Sequence, residues 1–151
     1  MRIIGDGGHA KVVRDVHMSM REWHDDGYYF IAVGDNVSRS NEAFANSSRL
    51  YAKLIHKTAY VVADSMGQGT VVMAGAVVQP GTIIGKHCII NTCASVDHDC
   101  TLGDFVHVAP GARLCGNVTV GEGALIGAGA VCVPGAVIAP WSLVKAGSVA
   151  K

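Results

Sequence analysis

From Tyr60 onward an apolar residue, nearly always aliphatic, returns at every sixth position. The series runs Tyr60, Met66, Val72, Val78, Ile84, Ile90, Val96, Leu102, Val108, Leu114, Val120, Ile126, Cys132, Ile138, Val144 and Ala150, and no hexad gains or loses a residue. A six-residue period is neither helical nor simply alternating. It predicts a parallel β-helix, in which each short strand turns a corner into the next. From Tyr60 to Val149 there are 15 hexads. Three hexads close one triangular coil, which makes five coils. The first position of each hexad points inward and carries the aliphatic stack. The fifth is usually small (Ala76, Ala94, Ala112, Ala124, Ala130, Ala136) and also points in. The fourth is often glycine, as corners with unusual φ require.

The sixth position of each hexad lies between two inward residues, so it points out. Residues three hexads apart then stack in columns. One column is Val71, Ile89, His107, Leu125 and Leu143; a second is Val77, Ser95, Arg113, Val131 and Val149; a third is Ile83, Thr101, Thr119 and Val137. The first is apolar except for His107. A solvated face does not read that way and a contact surface does. The expectation is a homo-oligomer, threefold, with this column near the subunit contact.

Residues 1–53 lack the hexad frame. Arg2 to Gly5 predicts a short strand, and Gly5-Asp6-Gly7-Gly8-His9-Ala10 a glycine-rich turn. Ala10 to about Arg21 predicts an amphipathic helix with Val12, Val13 and Val16 on one face. Tyr28 to Val33 predicts a buried strand, and Ser38 to Lys53 a second helix with Phe44, Leu50 and Tyr51 partly apolar. Strand, helix, strand, helix implies a small parallel sheet. The predicted division is a small α/β unit over 1–53 and a β-helix over 54–151.

Composition narrows the class. The formal net charge is zero, so nothing asks for nucleic acid or anionic lipid. Five cysteines without a C-x-x-C pair suit reduced thiols in a cytoplasmic protein. Met1 to Ile4 runs into Gly-Asp-Gly-Gly and not into the apolar core of a signal peptide. Gly123 to Val144 carries no charge over a length that could span a bilayer. Its four glycines, two prolines and unbroken hexad frame argue against membrane insertion.

His98 falls at a corner in Val96-Asp97-His98-Asp99-Cys100. A carboxylate beside an imidazole can fix its tautomer and raise its basicity, which is what a general base needs. A solvated surface histidine is the plain alternative. Two features favour chemistry. Gly116 lies three hexads on, one coil up, where its amide could stabilise an oxyanion, although a corner glycine needs no such role. His107 lies half a coil from His98, so within one chain the two point to opposite sides and only a neighbouring subunit could bring them together. It could equally be a buried interfacial histidine without chemistry. The Gly5–His9 turn, after a strand and before a helix, suits a nucleotide phosphate, and a plain tight turn equally. No acid about 20 residues on closes a second strand, which argues against NAD. The histidines at 87, 98 and 107 contain no H-x4-H pair, which argues against a metal site and a metal-dependent hydratase.

Taken together, Gly5-Asp6-Gly7-Gly8-His9-Ala10-Lys11-Val12-Val13, Phe30-Ile31-Ala32-Val33-Gly34-Asp35-Asn36, Leu54-Ile55-His56, Ile90-Asn91-Thr92, and the run from Val96-Asp97-His98-Asp99-Cys100 to Gly116-Asn117-Val118 resemble the bacterial sugar acetyltransferases of the sialic-acid O-acetyltransferase and bacillosamine N-acetyltransferase type. The resemblance implies a mainly β fold: a left-handed parallel β-helix of about five coils behind a reduced Rossmann-like α/β domain. It implies a cytoplasmic homotrimer with intersubunit active sites and acetyl-CoA as cosubstrate, working in cell-surface glycan assembly. His98 matches the base and Asp99 the acid beside it. His107, Gly116, Ala128 and Ala146 match positions that contact acetyl-CoA. Gly7, Gly8, His9, Gly34, Asp35 and Asn91 match the nucleotide-sugar site. The implied reaction is acetylation of the amine of a UDP-4-amino sugar, with O-acetylation of a sialic acid as the close alternative. Two departures stand out. The family places another strand before Phe30, where only Glu22 to Gly27 remain here, and it continues with a tail past the last coil. A catalytically weak sugar-nucleotide-binding protein is the alternative they raise.

Overall fold

The structure, a computed structural model, describes residues 1–20 and 27–151. The expected helix end at Arg21 and the short segment 22–26 lie outside the described residues. The N-terminal unit runs β1 (Arg2–Ile4), α1 (Gly8–Ser19), β2 (Tyr29–Ile31) and α2 (Asn36–Ala45). The strands pair in parallel, Arg2 against Tyr29 and Ile4 against Ile31. Ala10, Val13 and Val16 form the buried face of α1, whereas Val12 is 40% exposed.

The second helix differs from its expected span of Ser38 to Lys53. It starts earlier because Asp35 caps it, accepting the Ser38 amide at 2.8 Å. It stops at Ala45, before Asn46-Ser47-Ser48, which favour turns over helix. Leu50 to Ala52 then run beside β2: Tyr29 N donates to Leu50 O and Ala52 N to Tyr29 O, both at 2.9 Å. Tyr51 is buried there as part of an extended segment, not as a helical residue.

From β3 (Leu54–Ile55) the chain becomes a parallel β-helix of two-residue strands, β4 (Tyr60–Val61) through β19 (Val149–Ala150). They form three faces, ordered β18-β15-β12-β9-β6-β3, β19-β16-β13-β10-β7-β4 and β17-β14-β11-β8-β5. The register is three hexads: His107 pairs with both Leu125 and Ile89, Ser95 with Arg113, and Thr101 with Thr119. The interior holds the predicted stack, with Val72, Ile90, Val108, Ile126, Ala94 and Ala112 fully buried. At the corners, the fourth hexad position is left-handed from Gly69 to Gly147. Glycine occupies most of these positions, but His87, Cys93, Asp99, Phe105, Asn117 and Trp141 also hold φ between 53° and 61°.

The lower half of the apolar outward column has a different cover from the one expected. It packs against the chain's own N-terminal unit. Leu54, Val71, Met73 and Ile89 share one core with Ala10, Val13, Val16, Phe30 and Ala32. Full burial of a Val or Ile side chain is worth about 1.5–3 kcal/mol, so this seam joins the two units firmly. Higher up, His107 and Leu125 are half-buried and Leu143 is 61% exposed.

A polar clamp adds direction to the seam. Arg39, on α2, is 1% exposed. Its Nε donates to His87 O at 2.8 Å and its Nη2 to Phe105 O at 2.7 Å, while Nη1 reaches Val33 O and Gly34 O at 3.1 and 3.0 Å. Asn36 accepts from Arg39 Nη2 at 2.8 Å and donates to Gly123 O at 2.9 Å. His87, Phe105 and Gly123 are successive residues of one corner column. The clamp therefore takes the carbonyls of three coils in turn, so a buried cation is satisfied without a carboxylate. No helix among the described residues is long and apolar enough to cross a membrane.

Candidate active site

His98 stands on the turn between β10 (Ser95–Val96) and β11 (Thr101–Leu102), at the vertex opposite the face that the N-terminal unit covers. The corner is built by the backbone. His98 N donates to Asp97 Oδ1 at 2.9 Å, Asp99 N to Pro80 O at 3.1 Å, and Asn117 N to His98 O at 2.9 Å. Asp99 adopts φ 60°, which turns its carboxylate back along the column. Its Oδ2 lies 2.8 Å from His98 Nδ1, and both side chains are more than half exposed. The carboxylate accepts the Nδ1 proton, so Nε2 is left as the free acceptor. This hydrogen bond, with a smaller pull from Asp97, raises the His98 pKa above the ordinary imidazole value.

Gly116 is in register one coil above. A Cβ on it would sit 2.6 Å from His98 Cε1 and Nε2, so the imidazole occupies the space a side chain would need. Among the described residues the Gly116 amide has no hydrogen-bond partner. A free donor beside a basic nitrogen is the arrangement an acyl-transfer site requires. A groove on the adjoining face runs past Gln79, Ser95, Asp97 and Arg113 to this corner.

His107, on β12 (His107–Val108), faces the N-terminal unit of its own chain. Asn91 Nδ2 lies 3.0 Å from His107 Nε2, and the ring is 6.4 Å from that of His9. Burial first, then Arg39 and His9, lower its pKa to about 4, against a smaller opposing effect of the Gly34 backbone. Burial and Arg39 likewise lower His9 to about 4. Both rings are neutral at pH 7.

Beside them Gly5, Asp6, Gly7, Gly8, His9 and Gly34 line a concavity at the start of α1. Gly5 holds φ 115°, and a Cβ there would meet Ala32 O at 2.8 Å, so the turn needs glycine. A Cβ on Gly7 or Gly8 would meet nothing within 4 Å, which leaves the helix N-terminus open to an anion. Asp35, next in the chain to Gly34, has its carboxylate engaged as the cap of α2, and the Ser38 hydrogen bond lowers its pKa.

The candidate residues thus fall into three groups. His98, Asp99 and Gly116 share one vertex. Gly7, Gly8, His9, Gly34, Asn91 and His107 meet in the cleft between the two units. Ala128 and Ala146 are exposed on a further vertex, with Gly147 N bonded to Ala128 O at 2.9 Å. One chain by itself does not bring the three groups together. Arg39 and Asn36 escaped the sequence reading. The signal was present in Asn36, Arg39, Ser40 and Ala43, polar or small residues at helical spacing that form the buried face of α2. Among the described residues no three His, Cys, Asp or Glu side chains gather in a way that could hold a metal ion.

The model of the bacterial transferase hexapeptide (six repeats) matches residues 99–134. The GDP-perosamine N-acetyltransferase of Escherichia coli O157:H7 is 34% identical over 61 residues, 40% of this chain and 28% of that protein, so the match spans under a third of that relative. Solved structures align over far more. The acetyltransferase domain of PglB from Neisseria gonorrhoeae FA1090 superposes with a TM-score of 0.90 at 32% identity, covering 99% of this chain and 90% of that one. PerB from Caulobacter crescentus, solved in complex with CoA and GDP-perosamine, superposes with a TM-score of 0.93 at 34% identity, covering 99% and 87%. With about a third of positions identical over nearly the whole of both chains, the protein belongs to the bacterial hexapeptide-repeat sugar acetyltransferases.

Proposed function

We propose that the chain transfers the acetyl group of acetyl-CoA to the amine of a nucleotide-linked amino sugar. The observation that carries this reading is the His98–Asp99 pair at 2.8 Å beneath the unpaired Gly116 amide. The relatives solved with CoA and GDP-perosamine support the two substrates. His98 Nε2 takes a proton from the amine as its nitrogen bonds to the thioester carbon. The Gly116 amide donates to the oxygen that becomes negative. The carbon–sulfur bond then breaks, and the CoA thiolate takes the proton from the imidazolium. No covalent enzyme intermediate is needed.

In this reading residues 1–53 hold the nucleotide at the Gly7–His9 helix start, and residues 54–151 carry the transfer. The assembly is a homotrimer in which the His98 vertex of one subunit meets the His9–His107 cleft of the next, with Ala128 and Ala146 along the CoA path. Two observations support it. His98 and His107 sit on opposite sides of one β-helix, and Leu143, at the top of the His107 column, is left 61% exposed. The nucleotide expected from sequence is uridine; the GDP-perosamine complexes put guanosine beside it.

The test is acetyl transfer to UDP- and GDP-linked amino sugars and to sialic acid, read by mass spectrometry, with His98→Ala alongside and mass measured by light scattering. An N-acetylated nucleotide sugar, lost at least about a hundredfold in the variant, is the expected result. A well-folded trimer that binds nucleotide sugar and acetylates nothing would make the chain a binding protein instead.

A further inference from the structure

We propose that Gly81 is a positioning residue for the His98 base: the space left by its missing side chain is the slot that seats the Asp99 carboxylate against the imidazole. The inference rests on the reading of His98 as the base. Gly81 lies three hexads before Asp99, one coil below in the same corner column. A Cβ on Gly81 would overlap Asp99 Oδ1 and come within 3.1 Å of its Cγ. The Gly81 amide is itself held by Asp64 Oδ1 at 3.0 Å, so the floor of the slot is fixed from the coil beneath.

Backbone conformation alone does not explain glycine here. Gly81 holds φ 74°, but Asp99 and Asn117 hold 60° and 61° at the next two corners of the same column. Gly135, the following corner, holds φ 73°, and a Cβ there would meet nothing within 4 Å. Gly81 and Gly135 thus share a conformation, and only one of them has a carboxylate in its side-chain space. The same device recurs where Gly69 underlies the His87 ring and Gly123 the Trp141 ring. At Gly81 the seated group belongs to the proposed dyad, which is bracketed by glycine below Asp99 and above His98. Without the slot the carboxylate must rotate away, and its oxygen leaves Nδ1. The acids around the imidazole are Asp99 and Asp97 on its own turn. The coil above contributes Gly116 and Asn117, and the coil below Pro80 and Gly81, none of which titrates; Asp64 is engaged by the Gly81 amide.

The test compares wild type, Gly81→Ala and Gly135→Ala in the full chain. The His98 ring is titrated by NMR with carbon-labelled histidine, and kcat/KM is followed against pH. In Gly81→Ala the His98 titration falls toward the ordinary imidazole value, the acid limb of kcat/KM moves with it, and kcat falls by at least about tenfold, part of what a positioned base supplies. In Gly135→Ala the titration stays with wild type. If the two variants titrate alike, the assignment is overturned. If Gly81→Ala does not fold, the Gly81→Ala/Asp99→Ala pair decides: with the carboxylate gone it should fold, with a loss in Tm relative to Asp99→Ala alone equal to that of Gly135→Ala relative to wild type. Failure of the pair would place the overlap elsewhere and overturn the assignment. Should His98→Ala stay fully active, the base reading fails, while the NMR comparison still decides whether Gly81 seats Asp99.

Discussion

Lowering the pH from 7 to 5 should destabilise this protein through three histidines that fold as neutral rings. His9, His87 and His107 are each lowered from 6.5 to about 4, mainly by burial and then by the Arg39 guanidinium. The unfolded chain binds protons at these rings below 6.5 and the native state does not. Stability is therefore present above 6.5 and is lost as the pH falls toward about 4. At pH 5 the difference is about 2 kcal/mol per ring, or about 6 for three. His87 is only 4% exposed, but His9 and His107 keep solvent-facing edges, so about 3 kcal/mol is the working expectation. His98 has the opposite sign. Its native pKa is raised, so its contribution is present at low pH and lost as the pH rises through that value, but its exposed ring adds little. The assay is urea unfolding at pH 7, 6 and 5 with protomer concentration held constant, since association shifts apparent stability. His87→Phe keeps a ring stacked on Phe105, where the native centroid distance is 5.4 Å, and removes one titration. With about 2 of the expected 3 kcal/mol belonging to His87, it should reduce the acid loss by about two thirds. A fall of less than about 1 kcal/mol between pH 7 and 5, or an undiminished loss in His87→Phe, would refute the reasoning.

Three further outcomes follow from the same geometry. Gly116→Ala puts a methyl group where the His98 ring lies, and should lower kcat/KM by about 10²–10³-fold while leaving far-UV circular dichroism unchanged. Arg39→Met strips donors from the carbonyls of His87, Phe105, Val33 and Gly34, and should cost at least about 3 kcal/mol in urea unfolding. It should also raise KM for the nucleotide sugar more than KM for acetyl-CoA, because Gly34 lines the helix-start cleft. Asp99→Asn keeps a residue that tolerates φ 60° but removes the charge that raises the His98 pKa. The acid limb of its rate profile should move to lower pH and the rate at pH 7 should fall; an unmoved limb would separate Asp99 from the base.

The β-helix was legible because its constraint is local and repeated. Each coil needs an inward aliphatic residue, a small inward residue and a corner that admits positive φ, so Val72, Ile90, Val108 and Ile126 announce the fold one after another. The same arithmetic stacked Gly116 on His98, since three hexads make one coil and the register is uninterrupted. What covers the coils was decided in three dimensions. Val71 and Ile89 read as a contact face, but whether a second subunit or the chain's own first helix covers them depends on where residues 1–53 dock. No period records that. The end of α2 was likewise a competition, in which pairing of Leu50 to Ala52 with β2 overrode a helical reading through Lys53. Arg39 is the clearest case. In the sequence it is one cation in a short polar helix. Only the folded chain aligns the carbonyls of residues 87, 105 and 123 in a column, and that alignment makes burial of its charge affordable.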